Sequence, residues 1–243
     1  MIVLFTDFGL EGPYIGQMKA VLHARAPAVP VIDLFADAPC FDPQLAAYLL
    51  AAYASEFVPG TVFLCVVDPD VGGDRLPVIA EADERRFVGP GNGLFEIVLR
   101  RATERSSHRI DWRPERLSAS FHGRDLFAPV AAMLATGHDA PATALPFDDR
   151  RPGADWPDEL ARIVYVDRYG NAMTGWRASA TTARTRLRLG DRVIRRARTF
   201  SDVQPGEAFW YENANGLVEI AVNRGRAGNL LGLAVGAAVE ITL

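Results

Sequence analysis

The sequence predicts an α/β N-terminal domain with a mostly parallel sheet, followed by a smaller all-β, barrel-like C-terminal domain. Three observations predict it. Short apolar runs of strand length alternate with helix-length periodic stretches through the first half of the chain. A polar stretch from about His138 to Pro157, punctuated by Pro141, Pro146, Pro152 and Pro157, then breaks that rhythm and reads as an interdomain linker. After it, helix signals nearly vanish and short strand patterns take over. The expected domains are residues 1–150 and 151–243.

Ile2-Phe5 is wholly apolar, as a strand buried on both faces should be. Pro13 suits the first position of a helix in which Ile15, Met18, Val21 and Leu22 recur at helical spacing. Val29-Leu34 reads as a second strand. Asp42-Pro43 opens a second helix with Asp42 as N-cap, and Pro59-Gly60 stops it. Thr61-Val67 is a third strand that runs into Asp68. Leu76-Glu81 and Arg86-Val88 form a hairpin across Asp83-Glu84. Leu94-Arg101 is a short helix, His108-Trp112 a further strand, and Asp125-Ala135 a helix with Asp125 as N-cap, stopped by Gly137. In the second half, strands are expected at Arg162-Val166, Arg184-Leu189, Arg192-Ala197, Ala208-Glu212, Val218-Val222 and Ala238-Leu243. Asn215-Gly216 marks a hairpin turn in which both residues tolerate positive φ.

Composition bounds the function. The chain has 243 residues, 49% hydrophobic and 23% charged, enough for ordinary globular cores. A net charge of -4 with no long run of one sign argues against a nucleic-acid footprint. Lys19 is the sole lysine and falls mid-helix, which disfavours Schiff-base and phosphate-loop chemistry. Cys40 and Cys65 make neither a CxxC pair nor zinc spacing. The N-terminus lacks the basic and long apolar regions of a signal peptide, and no apolar run is long enough to span a bilayer. A cytoplasmic protein without membrane partners is the expectation.

Ligands of α/β sheets bind beyond the carboxyl ends of the strands. Two loops lie there: Thr6-Asp7-Phe8-Gly9 and Asp68 to Arg75. Asp7 suits a vicinal diol as well as a turn. Asp68, stranded after an apolar run, needs a partner, and Arg75 can supply it either as a structural ion pair or as part of a site. His122, beside Gly123, can orient water or carry a proton. Asn92, in a glycine-rich turn without phosphate-loop spacing, can contact a ligand. Asp167, Tyr169 and Asn171 close a strand in the second half; Asn215 lies in the hairpin turn. Asp68, Asp70, Asp74, His122 and Asp125 could instead gather around a metal ion, although no established metal-ligand spacing supports this.

Taken in order, TDFG, YIGQMKA, VVDPDVG followed by Arg75, VGPGNGLF, FHGRDLFAP, VDRYGNAMT and NGLVEIAVNRG resemble the S-adenosylmethionine hydroxide adenosyltransferases, relatives of the fluorinating and chlorinating adenosyl enzymes. The resemblance covers nearly the whole chain. It implies a hydrolytic trio at Asp68, Arg75 and His122. It implies that Asp7, in the Asp7-Phe8 loop, holds the ribose hydroxyls, that Asp167 lies near the methionine amino group, and that Tyr169 and Asn171 lie near the adenosyl group. It further implies that the hairpin with Asn215 contacts methionine. A homotrimer is implied, with sites between the N-terminal domain of one subunit and the C-terminal domain of the next, and no metal or separate cofactor. The chain departs from the family pattern at Asp70, Gly91 and Ala214, where Gly, Asp and often Ser are usual. The implied reaction is attack of water on the ribose C5′ of S-adenosylmethionine, giving adenosine and methionine, with the base among the trio left open. Halide transfer in the same fold, a metal-dependent phosphoesterase and a non-catalytic adenosyl-ligand sensor are the competing readings.

Overall fold

The computed structural model describes residues 1–242, which divide into two units, Met1–Trp156 and a second starting at Pro157. In the first unit, β1 (Ile2–Thr6), β2 (Val31–Phe35), β3 (Val62–Val66), β4 (Pro77–Ala82), β5 (Arg85–Pro90), β6 (Arg105–Ile110) and β7 (Ala142–Ala144) form one sheet, in the order β2-β1-β3-β5-β4-β6-β7. β1 and β3 are buried throughout, which is why they carry uninterrupted apolar sequence. β2 is an edge strand, and its exposed Asp33 is paired with Lys19 at 2.5 Å.

The expectation of a mostly parallel sheet is corrected: the sheet is mixed. β2, β1, β3 and β5 run parallel, whereas β5-β4, β4-β6 and β6-β7 are antiparallel. The physical reason is the hairpin at Asp83-Glu84. Both residues adopt left-handed conformations, φ 44° and 64°, as a two-residue turn with the twist of its strands requires. The Asp83 carboxylate accepts the amides of Thr103 and Glu104 at 2.9 and 3.0 Å, so the turn is anchored to the start of β6.

Helices α1 (Tyr14–Arg25), α2 (Pro43–Ala54), α3 (Glu96–Arg101) and α4 (Ala128–Ala135) pack on this sheet. Asp42 caps α2 by accepting the Leu45 amide at 2.9 Å, as its sequence predicts. Asp125 is not an N-cap. Gly123–Phe127 form a single π-helical turn leading into α4, with His122 at the capping position. Asp125 instead accepts the Ser118 amide at 2.8 Å and pairs with Arg124. Single π turns of this kind are frequent at functional sites.

The proline-rich stretch expected to link the domains is largely a strap on the first unit. β7 joins the sheet, and Arg151 reaches Glu96 at 2.8 Å. Arg100, at 2.9 Å, is the second cation on Glu96, whose side chain is 2% exposed. A buried carboxylate demands such partners, and supplying them draws the strap down.

In the second unit, β8 (Leu160–Val166), β9 (Ala172–Arg177), β10 (Arg186–Leu189), β11 (Arg192–Arg196), β12 (Ala208–Glu212), β13 (Leu217–Val222) and β14 (Glu240–Thr242) follow the order β14-β10-β11-β12-β13-β9-β8. A bridge from Arg162 to Ala238 brings the two edges together, so the sheet is nearly a closed barrel. Trp210, Ile163, Leu187, Ile194, Val218 and Ile220 fill it. β9 is not predicted by the sequence, because Gly175 and the paired polar and apolar residues of AMTGWR blur its alternation. In the β12-β13 hairpin only Gly216 has positive φ, 77°; Asn215 does not. The turn is wider than an Asn-Gly pair alone, with Asn213 Oδ1 accepting the amides of Asn215 and Leu217 at 3.0 and 2.9 Å.

Candidate active site

In the first unit, Asp7 directly follows β1 and Asp68 lies just beyond β3, so two acids meet at one end of the parallel strands. The loop from Asp68 to Arg75 folds back toward the segment before α4. Gly72, at φ +83°, permits this: a Cβ there would stand 2.5 Å from the Ala119 carbonyl oxygen. The result brings Asp68 and Arg75 of this loop together with His122, 47 residues beyond Arg75. Arg75 Nε donates to Asp68 Oδ1 and Oδ2 at 2.9 and 3.0 Å, and Nη2 donates to Oδ2. Arg75 Nη2 also lies 2.8 Å from His122 Nδ1. The Asp68 and Arg75 side chains are 3% and 7% exposed, and the Arg75 guanidinium lies over the Phe127 ring.

This trio fixes a protonation pattern. A guanidinium only donates, so His122 Nδ1 is the acceptor and a neutral ring carries its proton on Nε2. Burial, followed by the positive charge of Arg75, lowers the His122 pKa below the ordinary histidine value and keeps the ring neutral. Asp7 behaves oppositely. Burial raises its pKa, against the Phe41 amide that bonds its carboxylate at 3.2 Å.

A cavity of about 390 Å³ lies over this group, lined by Asp7, Phe8, Asp68, Val71 and His122 among others. Its aromatic side is only partly legible in the sequence. Phe8, Tyr14 and Phe121 form a mutual cluster with ring centroids 5.2–6.0 Å apart. Phe41 sits at φ 59°, unusual for a bulky residue, with 77% of its surface exposed. Nothing in its own sequence marks Phe41; its conformation becomes visible only beside Asp7.

Asn92 does not line this cavity. Its Nδ2 donates to the Val67 carbonyl at 2.9 Å and its Oδ1 accepts the Leu94 amide at 3.3 Å, bracing the end of β3 immediately before Asp68. Asp70 is exposed and also away from the lining. At Gly91 any side chain would meet Val78 and the Leu76 carbonyl within 3 Å, so the glycine is required by the local packing. Another cavity, about 270 Å³ under the strap, is mainly apolar; its buried acid, Glu96, is engaged by Arg100 and Arg151.

In the second unit, Asp167, Tyr169, Asn171, Ala214 and Asn215 line one cavity of about 780 Å³. Asp167 accepts the Asn171 amide at 2.8 Å and Asn171 Nδ2 at 3.1 Å. Arg168, Arg224 and Arg226 line the same cavity. So does Glu219, a buried acid that sequence reasoning missed although it interrupts the apolar run LVEIAV. Among the described residues, no group of three or more His, Cys, Asp or Glu side chains converges as metal ligands, and no helix is long and apolar enough to cross a membrane.

Comparison with known proteins adds to this geometry. Residues 2–144 match the family described as SAM hydroxide adenosyltransferase N-terminal domain, and residues 161–240 match the corresponding C-terminal domain. A Thermus thermophilus protein named (R)-S-adenosyl-L-methionine hydrolase is 36% identical, with 99% of this chain and 98% of that protein covered. A Salinispora tropica protein of the same name is 37% identical, with 98% and 95% covered. Among solved structures, an uncharacterized conserved protein from Thermotoga maritima superposes with a TM-score of 0.83 at 31% identity over 100% of both chains.

Proposed function

Because the chain belongs to the SAM hydroxide adenosyltransferase family, we infer that it is an enzyme that hydrolyses S-adenosyl-L-methionine, releasing adenosine and L-methionine. The observation that carries the chemistry is Arg75, behind the cavity wall, bridging Asp68 and His122, which both line the cavity.

The sulfonium is already a good leaving group, so the residues need only deliver water in line with the C5′–S bond and accept its proton. The water oxygen bonds C5′, the C5′–S electron pair returns to sulfur, and one water proton leaves. His122, neutral with its proton on Nε2, offers a donor to the water oxygen and no free lone pair. Asp68 keeps unused acceptor capacity alongside the Arg75 bonds. We therefore assign proton acceptance to Asp68, orientation of the water to His122, and alignment of both to Arg75. Asp7 suits the ribose diol, and Phe8, Tyr14 and Phe41 offer apolar walls for the nucleoside. In the second unit, Asp167 suits the methionine ammonium, the cavity arginines its carboxylate, and Tyr169, Asn171 and Asn215 the remaining polar contacts. This reaction needs no metal or separate cofactor. A homotrimer acting in the cytoplasm belongs to the same reading; light scattering that finds a fully active monomer would remove the trimer from it.

Turnover in heavy-oxygen water is expected to place the label in adenosine. Unlabelled adenosine, or 5′-chloro-5′-deoxyadenosine accumulating in chloride, would overturn the hydrolytic reading. For the roles, Asp68→Asn is expected to lower kcat by about 10³-fold, within the range for loss of a general base. His122→Asn, which retains an N–H donor, is expected to cost about tenfold in kcat, less than loss of the base. Equal losses in a steady-state assay would refute the division of roles.

A further inference from the structure

Glu219 lies at the centre of β13, all six residues of which are buried, and is 2% exposed. Among the described residues it has no cationic partner. Its carboxylate is held by two neutral donors, Tyr211 Oη at 2.5 Å and Asn213 Nδ2 at 2.8 Å. Burial raises its pKa, the two donors oppose that shift by favouring the anion, and the charge of Asp167 adds a smaller upward push. In its ionised form, which both donors favour, this buried carboxylate is a charge that neutral donors stabilise without cancelling its field. It also lines the same cavity as Asp167. That cavity therefore carries two carboxylates beside Arg168, Arg224 and Arg226, and the carboxylate bonds of Glu219 come from the neutral Tyr211 and Asn213.

The hydrogen bonds show how Glu219 acts on its surroundings. A carboxylate only accepts, so it turns the Asn213 amide to present Nδ2. Asn213 Oδ1 is then left facing the hairpin, where it accepts the amides of Asn215 and Leu217. Ala214 and Asn215, in that hairpin, line the cavity. One buried acid thus sets both the charge behind the cavity and the shape of one of its edges.

We propose that Glu219 is a positioning residue that determines specificity: its negative charge, added to that of Asp167, makes the second-unit cavity select ligands bearing an ammonium group. The proposal rests on the reading that this cavity takes the methionine end of the substrate. Burial keeps Glu219 from contacting the ligand itself, so it works through the field in the cavity and through Asn213.

The test uses the full chain in whatever assembly it forms. Binding of L-methionine and of its 2-oxo analogue, in which a keto oxygen replaces the ammonium, is measured by titration calorimetry for the unaltered protein, Glu219→Gln and Tyr211→Phe. In Glu219→Gln the introduced side-chain carbonyl can still accept from Asn213 while its amide faces the Tyr211 oxygen. The substitution therefore removes charge and preserves the hairpin. The unaltered protein is expected to prefer L-methionine. Glu219→Gln is expected to reduce that preference about tenfold, equivalent to about 1.4 kcal/mol, with affinity for the 2-oxo acid nearly constant. In turnover its penalty should fall on KM for S-adenosyl-L-methionine rather than on kcat. Tyr211→Phe removes one donor but leaves the carboxyl group and its Asn213 bond, so at alkaline pH, where the carboxyl is ionised without that donor, it should retain the preference. An unchanged preference in Glu219→Gln, or an equal loss in Tyr211→Phe, overturns the role assigned to Glu219. If the unaltered protein turns over the substrate but shows no preference for L-methionine, the assignment of this cavity is what fails.

Discussion

His122 faces Arg75 through Nδ1, and that contact governs its pH behaviour. Burial first, and the Arg75 charge second, lower its pKa from the ordinary value of about 6.5. The sign follows directly. A depressed histidine stays neutral in the folded protein at pH values where the unfolded chain has begun to bind the proton. The fold therefore resists protonation of the ring, and the stability this represents is lost as pH falls below the unfolded pKa. For catalysis, the neutral ring that offers Nε2–H persists below a pH of about 6.5. The acidic limb of kcat/KM governed by His122 is therefore expected below that value, and His122→Asn should displace it. A limb at or above that value that vanishes in His122→Asn would contradict the assigned state. At this same scale the sequence was informative about the three polar residues: Asp68 follows a strand, Arg75 is a cation in the same loop, and His122 sits beside a glycine. It was silent about Phe41 and Glu219, whose significance lies in a backbone angle and in missing counter-charge.

The elements place these residues, and two show how. The hairpin between β4 and β5 turns through Asp83 and Glu84, both left-handed, a conformation that favours Asn-Gly or Asp-Gly. The carboxylate of Asp83 makes its position worth keeping, because it anchors the turn to β6. Glu84→Gly is expected to raise stability by about 0.5–1 kcal/mol, seen as a higher urea midpoint with an unchanged slope. A lower midpoint would show that Glu84 is not strained. The second element is the π turn at Gly123–Phe127, which the periodicity of the sequence presented as the first turn of an ordinary helix. The extra residue in the turn lets Asp125 reach back to Ser118 and leaves His122 at the cap facing Arg75. Helical spacing cannot distinguish these cases, because a single widened turn leaves the apolar face of α4 intact.

At the scale of the molecule, each unit has its own sheet and core. The strap that ends the first unit is held by Glu96, a buried acid shared between Arg100 and Arg151. Removing the acid leaves two cations crowded at a partly buried site, so Glu96→Ala is expected to cost about 3 kcal/mol. Scanning calorimetry, with limited proteolysis at 145–156, checks it; a loss below about 1 kcal/mol, the range of an exposed pair, with no new cleavage would show that the strap is held by other contacts.

The sequence by itself determined the alternation of elements in the first half, the all-β character of the second, and the motifs that identify the family. Those properties are written in short contiguous stretches, where apolar period, caps and turn residues act on near neighbours. Only the tertiary structure decided that the first sheet is mixed, that the second nearly closes, and that the proline-rich stretch is a strap. It also decided that Asn92 braces β3, and that Glu219 stands behind a cavity without a counter-ion. Each of these depends on groups distant in sequence. Arg75 and His122 are 47 residues apart, and the proton on Nε2 of a neutral His122 follows from their 2.8 Å contact. A linear pattern can name the residues that carry charge, but the field each one feels is set by what the fold packs around it.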